Sequence, residues 1–509
     1  MEQYHSASEF LIDHARSGAV SFHMPGHKGA DLYRRLGYGE FLQRLADCDV
    51  TEIPGADNLF QTEGILKAVQ DRYAALYGAE RSYLLVNGTS GGILASILAC
   101  VPQGGKLIMA RNCHKAVFNA LALAGGQPVY AYPELLSEYG ISGEIPPGEI
   151  EACLDANPDA AAVILPSPNY YGVCSDIEAI AEAVHDRGKV LIVDQAHGAH
   201  LHFFRKLAAR GSGLETPCSV WPLSAEEAGA DIAINSIHKT LGSFTQSAVL
   251  NLLSGKVDRY VLEDKLQAVQ TTSPSYLLMG SLDIAADMLE KRGTELMGDW
   301  NENLQYFYGE VRRRQNRSPQ SCFNRIKVLD DINDLDRSKI NLDTSGLSLT
   351  ASQVEQQLMD RGIFAELTTG NILMLMTGIG NTRAHFDRLL SALEEICRQA
   401  PGNAAGADCK IKAEGETGAC GQTAVLQTRR APLEPIPLKK RRVPLEEAAG
   451  LVCASSIIPY PPGIPLICPG ERLTAAHVAA VRALRACGEK VIGVGDDGRI
   501  TVGAGAGEE

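Results

Sequence analysis

The sequence predicts an α/β fold built on a mostly parallel sheet with helices on both faces. Three observations carry this. From about residue 65, short apolar runs of strand length alternate with segments of helical periodicity. The first run, residues 82–86, ends in a turn of small residues, Asn87-Gly88-Thr89-Ser90-Gly91-Gly92. A later run ends in Val193-Asp194, an acidic residue at the strand end where ligands bind in such sheets.

The elements follow in order. Residues 82–86 read as a buried strand and 93–101 as a helix of small and apolar residues. Further strands are expected at 106–110, 160–165, 190–193, 231–234 and 247–252, with a helix at 176–187 whose apolar positions are Ile177, Ile180, Ala181 and Val184. A second region opens near Thr272-Ser273-Pro274-Ser275-Tyr276 with a long helix, about 277 to 314. It continues with an alternating strand at 339–343, a helix near 352–361 and a strand near 372–376, which suggests a smaller α+β domain. Residues 401–427 are rich in Gly, Ala and Glu and read as a linker. The expected division is therefore 1–65 as an N-terminal segment, 66–275 as the large domain, 276–400 as the small domain, 401–430 as the linker and 431–509 as a C-terminal domain.

Bulk properties narrow the function classes. At 509 residues the chain is too long for a single core. A formal net charge of −14 argues against a nucleic-acid or anionic-membrane partner. The basic run Lys439-Lys440-Arg441-Arg442 reads as a solvated strand entry rather than a nucleic-acid patch. Thirteen dispersed cysteines without a CxxC pair suggest reduced thiols and a cytoplasmic protein. Neither a signal peptide nor a membrane span is expected.

Candidate chemistry gathers at strand ends. The 87–92 turn, entering a helix, suits an anion, with Ser90 adding a hydroxyl; it also suits an ordinary strand–helix turn. His114, in Asn112-Cys113-His114-Lys115, follows the 106–110 strand and is placed either to stack on a planar ring or simply to cap a helix. Forty-five residues separate Asp194 from Lys239, in Ser236-Ile237-His238-Lys239-Thr240. That lysine is of a kind to hold pyridoxal phosphate as a Schiff base, and Asp194 to keep the pyridine nitrogen protonated. Asp194, His197, His200 and His202 also form a D-x-x-H-x-x-H-x-H pattern of metal-ligand types, but without the H-E-x-x-H spacing, and no metal site is expected.

Taken together, these residues resemble the Orn/Lys/Arg decarboxylase family of fold-type I pyridoxal-phosphate enzymes. The resemblance begins at Phe22-His23-Met24-Pro25-Gly26-His27-Lys28-Gly29 and Thr51-Glu52-Ile53-Pro54-Gly55-Ala56-Asp57. It runs through the motifs above to Tyr460-Pro461-Pro462-Gly463-Ile464-Pro465. It implies a pyridoxal-phosphate-dependent-transferase-like large domain with a seven-stranded sheet, in a short form lacking the wing domain of the long enzymes. By resemblance, Lys239 is the Schiff-base lysine, Asp194 the pyridinium partner and His114 the stacking residue. Ser90, Gly91, Ser236 and His238 would hold the phosphate, and His197 would lie beside the ring. Lys239 or His238 would return a proton to the substrate. Glu366 and, more weakly, Asp57 would meet the cationic end of arginine, lysine or ornithine, giving agmatine, cadaverine or putrescine. A homodimer or larger assembly is implied. Gln195 departs from the Asp-Glu-Ala-His-Gly of short-form relatives. The competing readings are another fold-type I reaction, aminotransferase- or aldolase-like, and a silent regulatory homologue.

Overall fold

The computed structural model describes residues 6–209, 221–400, 434, 437, 439–460, 463–486 and 490–504. Its centre is a seven-stranded sheet of β1 (Arg81–Leu85), β2 (Lys106–Ala110), β3 (Gln127–Ala131), β4 (Ala160–Pro166), β5 (Val190–Asp194), β6 (Ile232–Asn235) and β7 (Ala248–Leu252). The spatial order is β1-β7-β6-β5-β4-β2-β3. Only β7 runs antiparallel to its neighbours, so the carboxyl ends of the other six share one edge. Strands β6 and β7 are buried throughout, as near-continuous apolar runs covered on both faces should be.

The expected strands are present to within a residue or two. Strand β3 escaped the sequence reading: it lies at the sheet edge, is exposed or half-buried except at Ala131, and contains Pro128, which an edge tolerates. Helix α1 (Gly88–Cys100) leaves β1 directly. Its start sits so close to the sheet that a Cβ on Gly92 would lie 2.7 Å from the Leu85 side chain and 2.9 Å from that of Ile234, so any larger residue there would force these buried side chains to shift.

Ser275 caps the 40-residue helix α2 (Tyr276–Gln315), and this helix buries Leu282, Ala285, Trp300, Leu304 and Phe307. A four-stranded antiparallel sheet packs beyond it: β8 (Lys327–Val328), β9 (Lys339–Asp343), β10 (Leu367–Thr369) and β11 (Ile372–Met376), in the order β8-β9-β11-β10. Helices α3 (Ala351–Met359) and α4 (Arg383–Gln399) cover it. The N-terminal segment is wedged between the two sheets. Val20–Ser21 pairs in parallel with Ile363–Phe364, Gly26 N donates to His238 O (2.7 Å), and Gly380 N donates to Gly26 O (3.0 Å).

A separate core of Val443, Leu466, Ile467, Val481, Leu484 and Ile500 forms near the C-terminus. There Lys440–Pro444 pairs with Arg499–Gly503, leaving Lys439, Lys440 and Arg442 exposed on a strand entry as expected. Buried Arg111 fastens this unit to the large sheet by donating to Pro465 O (2.8 Å) and Leu466 O (3.0 Å) and pairing with Glu471 (3.2 Å). The expected linker, 401–430, lies outside the described residues. No helix among the described residues is long and apolar enough to cross a membrane.

Candidate active site

Where the carboxyl ends of β1, β2, β5 and β6 meet, a cavity of about 750 Å³ opens. Lys239, Asp194, His114, His197, Ser90, Ser236 and His238 all line it, together with Glu366. Gly91 is buried in the first turn of α1, one residue behind Ser90. One expected residue behaves differently. Asp57 is not brought to the cavity, because its carboxylate is taken up locally by five backbone N–H groups, of Asn58, Glu63, Gly64, Leu66 and Lys67. It serves as a loop-and-helix cap in this chain rather than as a cation ligand, a correction that no spacing argument anticipates. Of the tail motif, Pro461 and Pro462 lie outside the described residues, while Ile464 reaches the cavity wall.

The titratable groups of the cavity are buried and mutually perturbed. Lys239 Nζ stands 2.9 Å from His197 Nε2. Burial lowers its pKa to about 8; Asp194 and Glu366 oppose the shift and Lys339 reinforces it. Burial raises the pKa of Asp194, while Lys239 and the Ala196 amide (3.2 Å to Oδ1) work the other way. No hydrogen bond to Asp194 Oδ2 forms among the described residues, which leaves that oxygen for a ligand.

Of the histidines that line the cavity, His114, His197 and His238 are held in the neutral form at pH 7 by burial. Burial, then the charges of Lys239 and Lys115, lowers His114 to about 4; this residue also N-caps the helix Lys115–Leu123. Burial lowers His238 to about 4 against the hydrogen bond from its Nδ1 to Ser247 O (2.9 Å), so Nε2 is the atom left to exchange a proton. His197 lies well below its ordinary value for the same reason, with Lys239 and Lys339 adding to it.

At the anion end, Ser236 Oγ lies 3.3 Å from Thr89 Oγ1. Thr89, missed in the sequence, stands at the start of α1 beside Ser90, and its place in the small-residue turn was the available signal. Glu366 is fixed by the Met24 amide (3.0 Å) and the Tyr170 hydroxyl (2.9 Å), with His23 at 3.7 Å. Glu355, a second carboxylate on the wall, was also missed; burial raises its pKa, and His23 opposes this.

Two remaining sequence features point away from the cavity. His200 turns to Asp336 (3.1 Å) and Thr240 (3.2 Å), and His202 Nε2 donates to Leu76 O (3.0 Å), so the D-x-x-H-x-x-H-x-H residues do not converge. Among the described residues no group of three or more His, Cys, Asp or Glu is placed to hold a metal ion. Gln195 is buried, donating to Glu226 (2.7 Å) and Asn235 (2.9 Å) and accepting from the Ala225 amide (2.6 Å). Gln195→Glu should cost about 1–3 kcal/mol at neutral pH, because a carboxylate cannot donate to Glu226. Like-charge repulsion raises the folded-state pKa of the new acid, so the loss is full above that pKa and recovers as pH falls through it. Thermal melts of the variant from pH 8 to 5 check this; a deficit that does not shrink with falling pH contradicts it.

Comparison with known proteins bears on this geometry. The model of the Orn/Lys/Arg decarboxylase major domain matches residues 7–385, and that of the Orn/Lys/Arg decarboxylase C-terminal domain matches 421–493. An arginine decarboxylase of Bacillus subtilis is 33% identical over 483 residues, covering 92% of this chain and 91% of that protein. An arginine decarboxylase of Halalkalibacterium halodurans is 31% identical, covering 96% and 94%. The fold matches that of the constitutive lysine decarboxylase of Escherichia coli with a TM-score of 0.72 at 22% identity, over 98% of this chain and 81% of that one. The expected fold class, that of the fold-type I pyridoxal-phosphate enzymes, is the one observed. The chain belongs to the Orn/Lys/Arg decarboxylase family and is an amino-acid decarboxylase, a lyase.

Proposed function

We propose that the chain decarboxylates arginine, lysine or ornithine to the corresponding amine with pyridoxal 5′-phosphate held in this cavity. The observation that carries the reading is a single cavity lined by Lys239, Asp194 and Glu366: an amine nucleophile, a carboxylate for a ring nitrogen and a carboxylate for a cationic side chain. The residues fit the cofactor. His197 Nδ1 and Asn112 Oδ1, both on residues that line the cavity, are buried without hydrogen-bond partners among the described residues and are open to a bound group.

Thr89, Ser90, Gly91, Ser236 and His238 would hold the phosphate at the start of α1, Asp194 the ring nitrogen, and Lys239 the aldehyde carbon. Bound pyridoxal phosphate supplies an electron sink for the pair left when CO₂ departs. Asp194 keeps the proton on the ring nitrogen by its buried negative charge. His114 and His197 flank the ring space as neutral groups. Lys239 Nζ or His238 Nε2 delivers the proton that replaces CO₂ at the α-carbon. Glu366, held by Met24 and Tyr170, faces the cationic end of the substrate, with Glu355 nearby.

The chain divides, in this reading, at the boundaries expected from sequence, supported for the tail by its separate core. The enzyme would work in the cytoplasm, where the free thiols of the described cysteines are stable, and would serve polyamine metabolism. Phe10, Leu11 and Ile12 are 47%, 61% and 50% exposed on one short helix, which supports a homo-oligomer.

Borohydride reduction of the cofactor-loaded protein followed by peptide mapping tests the assignment. The label is expected on the peptide containing Lys239; a label elsewhere, or none, overturns it. Only the neutral amine attacks an aldehyde, so cofactor uptake should accelerate with rising pH and level off above about 8. Stopped-flow absorbance checks this, and a rate flat across that range contradicts it. Glu366→Gln should raise the substrate KM by about 30-fold or more, the cost of leaving a buried cation without its charge partner, with a smaller change in kcat. Steady-state kinetics on each basic amino acid give the split, and an unchanged KM removes Glu366 from substrate binding.

A further inference from the structure

Behind the cavity lies a charged cluster that the chemistry above does not use. Asp336, Ser338, Lys339 and His200 are fully buried, on the turn entering β9 and the segment following β5. Lys339 Nζ donates to His197 O and to Asp336 Oδ2, the latter at 2.5 Å. Asp336 Oδ1 accepts from His200 Nε2 (3.1 Å), where Ser338 Oγ also approaches (3.1 Å), and His200 Nδ1 lies 3.2 Å from Thr240 Oγ1. The carboxylate can only accept, so His200 carries its proton on Nε2 and Nδ1 accepts from the Thr240 hydroxyl. Thr240 follows Lys239, whose Nζ returns to His197 Nε2 at 2.9 Å. The contacts close a ring joining the turn after β5, the lysine turn after β6 and the entry to β9.

Stability alone does not account for this arrangement. A buried ion pair gains little over well-packed apolar side chains of the same volume. What Lys339 does that an apolar residue cannot is bind the carbonyl of His197 and set a fixed positive charge behind Lys239.

We propose that Lys339 is a positioning residue of the active site, which with Asp336 and His200 locks the His197 and Lys239 turns against each other. Its charge is among the causes that lower the pKa of both Lys239 and His197. The inference rests on the reading of Lys239 as the cofactor-binding lysine.

Lys339→Met alone leaves Asp336 as a lone buried charge and risks failure to fold. Asp336→Asn/Lys339→Met removes both charges and avoids that risk. The first readout needs no cofactor: competitive acetylation of the protein across pH, with mass spectrometry of the Lys239 peptide, gives the titration midpoint of that amine. The wild type is expected near 8, and in the folded double variant the midpoint is expected to move from that value, because loss of the Lys339 contact with His197 O frees the turn against which Lys239 Nζ rests. In the cofactor-loaded protein, kcat should fall about 10-fold or more with KM nearly unchanged, since a small misplacement of reacting groups is costly. An unchanged midpoint in the folded double variant overturns the proposal. If borohydride labelling of the wild type misses Lys239, the underlying reading fails instead, and the acetylation result distinguishes the two failures.

Discussion

Replacing Lys239 by alanine is expected to abolish CO₂ release while leaving the fold intact. The side chain ends in the cavity, and among the described residues its one hydrogen bond runs to His197 Nε2 (2.9 Å), so little packing is lost. Stability should not fall near neutral pH. The folded-state pKa of Lys239, about 8, lies below the unfolded value, so the folded protein binds fewer protons and is penalised at pH values below that range. Removing the amine removes the penalty, and a melting temperature equal to or above that of the wild type at pH 7 is the expected companion of lost turnover. Retained decarboxylation in Lys239→Ala would contradict the mechanism outright, whereas lost activity with lost folding would not test it.

Asp194→Ala should lower kcat by about 10²–10³-fold, the usual cost of removing one preorganised electrostatic group. The carboxylate is buried at the end of β5, and one of its oxygens accepts no hydrogen bond among the described residues. Its charge is therefore directed at whatever occupies the cavity rather than at the fold. Cofactor should still attach to Lys239, though more weakly. The variant thus separates covalent attachment from catalysis, and borohydride labelling together with single-turnover kinetics reads both. A variant with full rate would mean that the ring nitrogen needs no anionic partner here.

Much of this site was legible because strand ends collect chemistry. Asp194, His197, Ser236, His238 and Lys239 follow β5 and β6 directly, so an apolar run ending in polar residues marks them in the sequence. His114 follows β2 in the same way. What stayed hidden was brought in by tertiary structure. Lys339 opens the alternating strand Lys-Ile-Asn-Leu-Asp, where the period suggests an exposed face, yet the N-terminal end of β9 is buried beneath His197. His23, Tyr170 and Glu355 come from three unrelated segments and share only the cavity wall. Asp57 failed in the opposite sense, since a carboxylate that caps a loop and one that meets a substrate look alike in sequence. The edge strand β3 shows the same limit for the fold, because a half-exposed run with a proline lacks the apolar signal of its buried neighbours.

The most direct test is CO₂ release from the purified protein loaded with pyridoxal phosphate, offered arginine, lysine and ornithine in parallel, with Lys239→Ala as control. CO₂ with stoichiometric amine from one of the three, absent in the control, is the predicted result and names the substrate. A loaded protein with cofactor on Lys239 that releases CO₂ from none of them would contradict the central claim.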